Sequence, residues 1–135
     1  MVKLIIGVKG TGKTKTLIEM ANAALEKSNG SVVCIEKGVK LRYEVKPQVR
    51  LVNTNEYLIF DAQALFGFLS GLLAGNHDIT HVFVDSAFKI CGNEADPFDK
   101  FLTEVDELAE KYSVDIVITS SIPSEEASDT VKKYI

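Results

Sequence analysis

Eight residues near the start of the chain, Gly7-Val8-Lys9-Gly10-Thr11-Gly12-Lys13-Thr14, come directly after a mostly apolar run from Val2 to Ile6. Glycines at 7, 10 and 12 interrupt any regular element, because glycine in a helix or strand interior costs roughly 0.5–1 kcal/mol relative to alanine. The chain must turn there. Beyond the turn, Leu17, Ile18, Ala21, Ala24 and Leu25 recur on one helical face, with Glu19, Asn22 and Glu26 outward. The expected unit is a buried strand, a tight loop and an amphipathic helix over about 13–27, stopped by Asn29-Gly30.

The same alternation continues. Ser31 to Glu36 (SVVCIE) reads as a second strand, Val82 to Val84 ending in Asp85 as a third, and Val114 to Thr119 (VDIVIT) as a fourth. Leu51 to Asn53 reads as a further short strand. Asp61 is placed to cap a helix over Ala62 to Ala74, apolar nearly all round and closed by Asn76. Asp96-Pro97 reads as cap and first residue of a helix whose stripe is Phe98, Phe101, Leu102, Val105, Leu108, Ala109 and Tyr112. Pro123 predicts a short terminal helix, and Phe88 to Glu94 a short loop. Strands alternating with helices in 135 residues predict one α/β domain over 1–135, a three-layer sandwich around a mainly parallel sheet of four or five strands.

The glycine-rich segment matches G-x-x-x-x-G-K-[ST] at every defined position, in the strand-to-helix setting that a phosphate-binding loop requires. Glycines let backbone N–H groups turn towards phosphate oxygens, and the next helix presents its N-terminal amides to the same anion. The predicted nucleotide-binding set is Gly7, Val8, Lys9, Gly10, Thr11, Gly12, Lys13, Thr14 and Lys15. Within it Lys13 is expected to neutralise the β- and γ-phosphates, and Thr14 to offer a hydroxyl to Mg²⁺.

Asp85 ends an apolar strand and is the expected Mg²⁺-associated carboxylate, acting through a water. Glu36 ends the strand after the first helix, where a carboxylate could orient or activate the water that attacks the γ-phosphate. The alternative for Glu36 is a solvated acid paired with Lys37 or Lys40. Thr119, Ser120 and Ser121 end the fourth strand, where one hydroxyl could sense the γ-phosphate or cap the Pro123 helix.

Between Lys37 and Arg50 five basic residues face a single acid, Glu44, and a loop or edge hairpin around Pro47 is expected. Arg42 and Arg50 are the only arginines in the chain. A catalytic arginine finger would therefore come from this segment, from a second copy or from another protein. The formal net charge of -4 does not indicate a nucleic-acid surface. Cys34 and Cys91 stand apart, as in a reducing compartment, with Cys34 expected in a buried strand. No apolar stretch is long enough to span a bilayer, and a cytoplasmic location is expected. His77 and His81 precede a strand without a metal-binding pattern. Gly67, Gly71 and Gly75 form a ridge for close packing against the sheet or a second subunit.

The stretch Val82 to Ala87 (VFVDSA) resembles the Walker B strand of RecA-like ATPases, and the position of Glu36 is similar to their catalytic glutamate. Together with the glycine loop and the C-terminal helix-strand-helix, most of the chain looks like a family of short bacterial P-loop proteins often labelled twitching-motility ATPase. The histidine and acidic boxes of a true twitching-motility motor are absent from the sequence. The resemblance implies a RecA-like sheet and an ATP and Mg²⁺ site. The expected function is a slow Mg²⁺-dependent ATPase or nucleotide switch working through a partner or self-assembly. A small-molecule kinase and a non-hydrolysing nucleotide-binding module are the alternatives.

Overall fold

The computed structural model describes residues Met1 to Ile135. Its strands are β1 (Val2–Ile6), β2 (Ser31–Glu36), β3 (Arg50–Asn53), β4 (Ile79–Val84) and β5 (Asp115–Ser120). They form one sheet in the order β1-β5-β4-β2-β3, with every neighbouring pair parallel. The helices are α1 (Lys13–Lys27), α2 (Ala62–Gly75), α3 (Ala87–Ile90), α4 (Ala95–Tyr112) and α5 (Asp129–Lys132). This is a three-layer α/β sandwich of RecA-like form, with β5 inserted between β1 and β4.

The handedness of the crossovers decides which helix covers which face. From β1 to β2 the chain passes over two strands in one direction, and from β3 to β4 and β4 to β5 it returns in the other. Right-handed connections therefore send α1 to one face and α2 and α4 to the opposite face. The side chains divide accordingly. Leu17, Ala21 and Ala24 of α1 pack with Val32, Cys34, Phe83 and Val117. Leu65 and Leu69 of α2, with Phe98, Leu102 and Val105 of α4, pack with Val33, Ile35, Val82, Val84, Ile116 and Ile118. Odd and even positions of β2 thus serve different layers, which is why SVVCIE reads as continuously apolar. Only the edge strands carry exposed basic residues, Lys3 on β1 and Arg50 on β3. The open side of β1 is partly covered by the chain end, where the Leu4 amide donates to the Tyr134 carbonyl at 2.7 Å.

The segment from Lys37 to Val49 is not a hairpin. The step from β2 to β3 runs in the same direction as that from β1 to β2, so its connection must lie on the α1 face. Leu41, Val45 and Val49, four residues apart, are buried there against the α1 cluster. The basic side chains between them face outward.

Other boundaries differ from the sequence reading. Helix α4 begins at Ala95 with Glu94 as its cap position, so Pro97 is its third residue. Proline is tolerated there because the first turn has no intrahelical use for its missing N–H. Of the loop expected over Phe88 to Glu94, Phe88 to Ile90 instead join Ala87 in the single turn α3. Pro123 precedes a 3-10 turn at Ser124–Glu126, and the terminal helix proper is α5, capped by Ser128. β4 starts at Ile79 and so contains His81, whose Nδ1 meets the Thr80 hydroxyl at 2.7 Å. Asp61 does cap α2, its carboxylate accepting from the Ala64 amide at 2.8 Å. The Gly67, Gly71 and Gly75 ridge is exposed and lies against neither the sheet nor another helix.

Gly30 serves a purpose other than stopping α1, which already ends at Ser28. A Cβ at Gly30 would stand 1.9 Å from the Asp78 carbonyl oxygen, the group that accepts from the Ser31 amide at 2.8 Å. Gly30→Ala is expected to push β2 and β4 apart at their starts and to lower stability by about 1–3 kcal/mol in urea unfolding. An unchanged midpoint would show that the two strands are not held at this spacing.

Candidate functional site

Because every strand is parallel, all five carboxyl ends lie on one edge of the sheet, and the conspicuous residues of the sequence gather there. The loop after β1 bends through left-handed backbone at Gly10 (φ 87°) and Gly12 (φ 84°), which glycine adopts without strain. Gly7 answers a different need, since a Cβ on it would meet the Thr11 hydroxyl at 2.8 Å. The Gly7 amide donates to the Ile122 carbonyl at 3.1 Å, which ties the loop to the segment leaving β5. The Lys13 ammonium lies back over the loop, 2.8 Å from the Val8 carbonyl and 3.4 Å from the Thr11 hydroxyl.

Asp85 joins three elements. Its carboxylate accepts from the Thr14 hydroxyl of α1, which lies 3.1 and 3.2 Å from the two oxygens, and from the Thr119 hydroxyl of β5 at 2.7 Å. Thr119 in turn accepts from the Ser86 amide at 2.9 Å. Ser86 holds left-handed backbone (φ 57°, ψ 45°), a conformation costing about 1–2 kcal/mol for a residue with a side chain. This local strain turns the chain sharply out of β4 into α3. Asp85 is 9% exposed, and its hydrogen-bond partners are hydroxyls.

Above Asp85 opens a cleft of about 460 Å³. Lys9, Lys13, Lys15, Lys40 and Lys89 all lie on its wall, with Asp85 as the sole acid among the lining residues. No lysine of the five takes part in an ion pair; the three pairs of the molecule are Met1–Asp115, Lys46–Glu26 and His81–Asp115. In a chain of net charge -4 this is a strong local reversal of sign. Five lysines on one cleft wall, a glycine-rich loop and the N-terminus of the fifteen-residue α1 together favour a polyanion.

Glu36 lies beneath the cleft and is not part of its wall. It is 3% exposed, neither solvated nor paired with a lysine side chain. One carboxylate oxygen accepts from the Lys40 amide at 3.0 Å and the other from the Leu41 amide at 3.0 Å. Burial pushes its pKa above the ordinary carboxylate value, with the negative charge of Asp85 adding to the rise, while the Leu41 and Lys40 amides and the Lys40 charge oppose it. Thr119 faces Asp85, Ser120 donates to the Thr119 carbonyl at 2.7 Å and accepts from Phe88, and Ser121 reaches the cleft wall. None of the three caps the turn after Pro123.

Of the residues singled out from the sequence, the glycine loop, Lys13, Thr14 and Asp85 are thus brought together, and Glu36 underlies them. The sequence suggests Lys40 only as a partner for Glu36 within a basic segment, not as a cleft residue, and it does not single out Lys89. Lys89 was detectable in principle, since it stands one helical turn beyond Asp85. Neither Arg42 nor Arg50 reaches the cleft; Arg42 lies over the Tyr43 ring at 4.9 Å and Arg50 is exposed on β3. No helix is long and apolar enough to cross a membrane. No protein-family model and no curated protein matches the chain.

Thr119→Val is expected to lower stability by about 1–3 kcal/mol, because it strands the Ser86 amide and removes one donor from Asp85. Chemical denaturation measures it, and a change within 0.5 kcal/mol (about the scatter for an uninvolved surface site) would mean that water replaces the hydroxyl.

Proposed function

We propose that the chain binds a nucleoside triphosphate, ATP in our reading, with Mg²⁺, and acts as a slow ATPase or nucleotide switch. The observation that carries this is the Thr14–Asp85 hydrogen bond at the mouth of the glycine loop, inside the lysine-lined cleft. It brings a helix-start hydroxyl and a strand-end carboxylate, from positions 71 apart in sequence, to one point beside the phosphate loop.

In this reading the loop amides after Gly7, whose own amide is held by Ile122, and the first amides of α1 hold the phosphates. Lys13 exchanges its contacts with Val8 and Thr11 for phosphate oxygens of greater charge. Thr14 and Asp85 are hard oxygen donors and suit Mg²⁺, which takes few protein ligands and keeps several waters. No group of three His, Cys, Asp or Glu side chains forms an all-protein cage elsewhere. Held by Thr14 and Asp85, the ion would supply positive charge to offset that of the phosphates. Thr119 helps to orient the Asp85 carboxylate through its hydrogen bond to Oδ1.

The kinase reading has one observation in its favour. A neighbouring pocket of about 240 Å³, half of its lining apolar, shares Phe88 and Ser121 with the cleft and has room for a small acceptor. The resemblance to short bacterial P-loop proteins, by contrast, favours hydrolysis or switching through a partner or a second copy.

Titration calorimetry with MgATP, MgGTP and metal-free ATP, and then phosphate release, tests the proposal. Lys13→Ala is expected to weaken MgATP by about tenfold to a hundredfold, the worth of one strong charge-assisted contact. Asp85→Ala is expected to erase the difference between Mg²⁺ and metal-free ATP. Wild-type affinity in the Lys13 variant would overturn the nucleotide site, and wild-type Mg²⁺ dependence in the Asp85 variant would overturn the metal assignment.

A further inference from the structure

The turn after β2 is pinned more firmly than a surface connection requires. Gly38, left-handed at φ 109°, donates its amide to the Asn53 side chain at 2.9 Å. The Lys40 and Leu41 amides go to the two oxygens of Glu36. Leu41 then plunges into the α1 core at 1% exposed. Three amides in four residues are therefore held by side chains from the ends of β2 and β3, and the one long side chain left free among them is Lys40, on the wall of the cleft that also contains Lys13.

Resting on the nucleotide reading above, we infer that Lys40 contacts the terminal phosphate of the bound triphosphate, and that Glu36 is the positioning residue that holds Lys40 there. The chain then carries in cis the cation that its two arginines cannot supply, since neither lines the cleft. Lys9, Lys13 and Lys15 arise from the loop and the start of α1, on the β1 side. Lys40 arrives from the end of β2, beyond Asp85 in the sheet order, where the phosphate furthest from the loop would lie. A carboxylate whose two oxygens each carry a main-chain N–H, and which lies below the cleft wall, is suited to fixing a turn. It is poorly placed to take a proton from water in the cleft.

The test compares MgADP with the Mg²⁺ complex of the imido analogue of ATP, so that it does not depend on turnover. Wild type, Lys40→Ala, Lys40→Arg and Glu36→Gln are titrated calorimetrically with both. Lys40→Ala is expected to weaken the triphosphate analogue by about tenfold and ADP by less than about twofold. Lys40→Arg should restore most of the difference, and Glu36→Gln should reproduce the selective loss. Equal losses for both nucleotides, or none, would overturn the assignment of Lys40. Full analogue affinity in Glu36→Gln, with phosphate release abolished, would make Glu36 the base and overturn its positioning role. If Glu36→Gln fails to fold by circular dichroism, the exposed Lys40 variants still decide the assignment. Wild type that binds neither nucleotide would overturn the parent reading and this one together. Wild type that binds both nucleotides, with Lys40→Ala changing the two affinities equally or not at all, would overturn this one alone.

Discussion

The constraint on which the rest of the molecule depends is the parallel alignment of all five strands with right-handed connections between them. It forces every strand to end on the same edge, so residues as distant in sequence as Thr14, Glu36, Asp85 and Thr119 come together without any special packing device. It also sets the order in which they meet. With β5 between β1 and β4, the Thr119 hydroxyl lies between the glycine loop and Asp85 and bonds Asp85 directly. Had β4 adjoined β1, Asp85 would have no such partner on that side.

That edge is built against the interest of stability. Asp85 and Glu36 are buried carboxylates at the ends of adjacent strands, and burial together with the charge of Asp85 raises the cost of charging Glu36. Neither has a cationic side chain within ion-pair distance. Their oxygens are satisfied by hydroxyls and amides, which removes much of the desolvation penalty but leaves the mutual repulsion. Ser86 adds backbone strain at the same place. A chain selected for stability alone would put apolar residues there. Local rules broken together at one edge, while the layers behind it obey theirs, are what a binding site looks like in physical terms. The five lysines on the cleft wall above this edge suit an anion of high charge better than a cation alone, as the proposed function requires.

The range of the interactions involved determines how much of this was legible in the sequence. The glycine loop is a backbone motif whose spacing is set within eight residues, so Gly7 to Thr14 could be read directly. Asp85 was legible because it breaks an apolar run at the point where a strand must end. The alternation of strands and helices gave the layers. Asp96-Pro97 misled because a good cap pair competes with the preceding turn, and the first turn of α4 accommodates Pro97 as readily at its third position as at its first. The segment from Lys37 to Val49 misled more seriously. Its abundant charge suggested a solvated loop, whereas three apolar residues at four-residue spacing anchor it over α1. Nothing local says which face such a segment covers; strand order decides that.

Lys40 stands out in the sequence only as one of several bases near Glu36, and in the fold as part of the cleft wall. A lysine in a basic run carries no signal of its own. Its place on the cleft wall is set by where the turn after β2 is fixed, and that depends on Glu36 and Asn53, at the ends of two neighbouring strands in register. The register pairs Glu36 with Asn53 directly, so the two acceptors stand side by side and take consecutive bends of one turn. Glu36 fixes the main chain of its neighbours four and five positions on. A strand-end acid in a parallel sheet need not act on a substrate to govern what the cleft above it recognises.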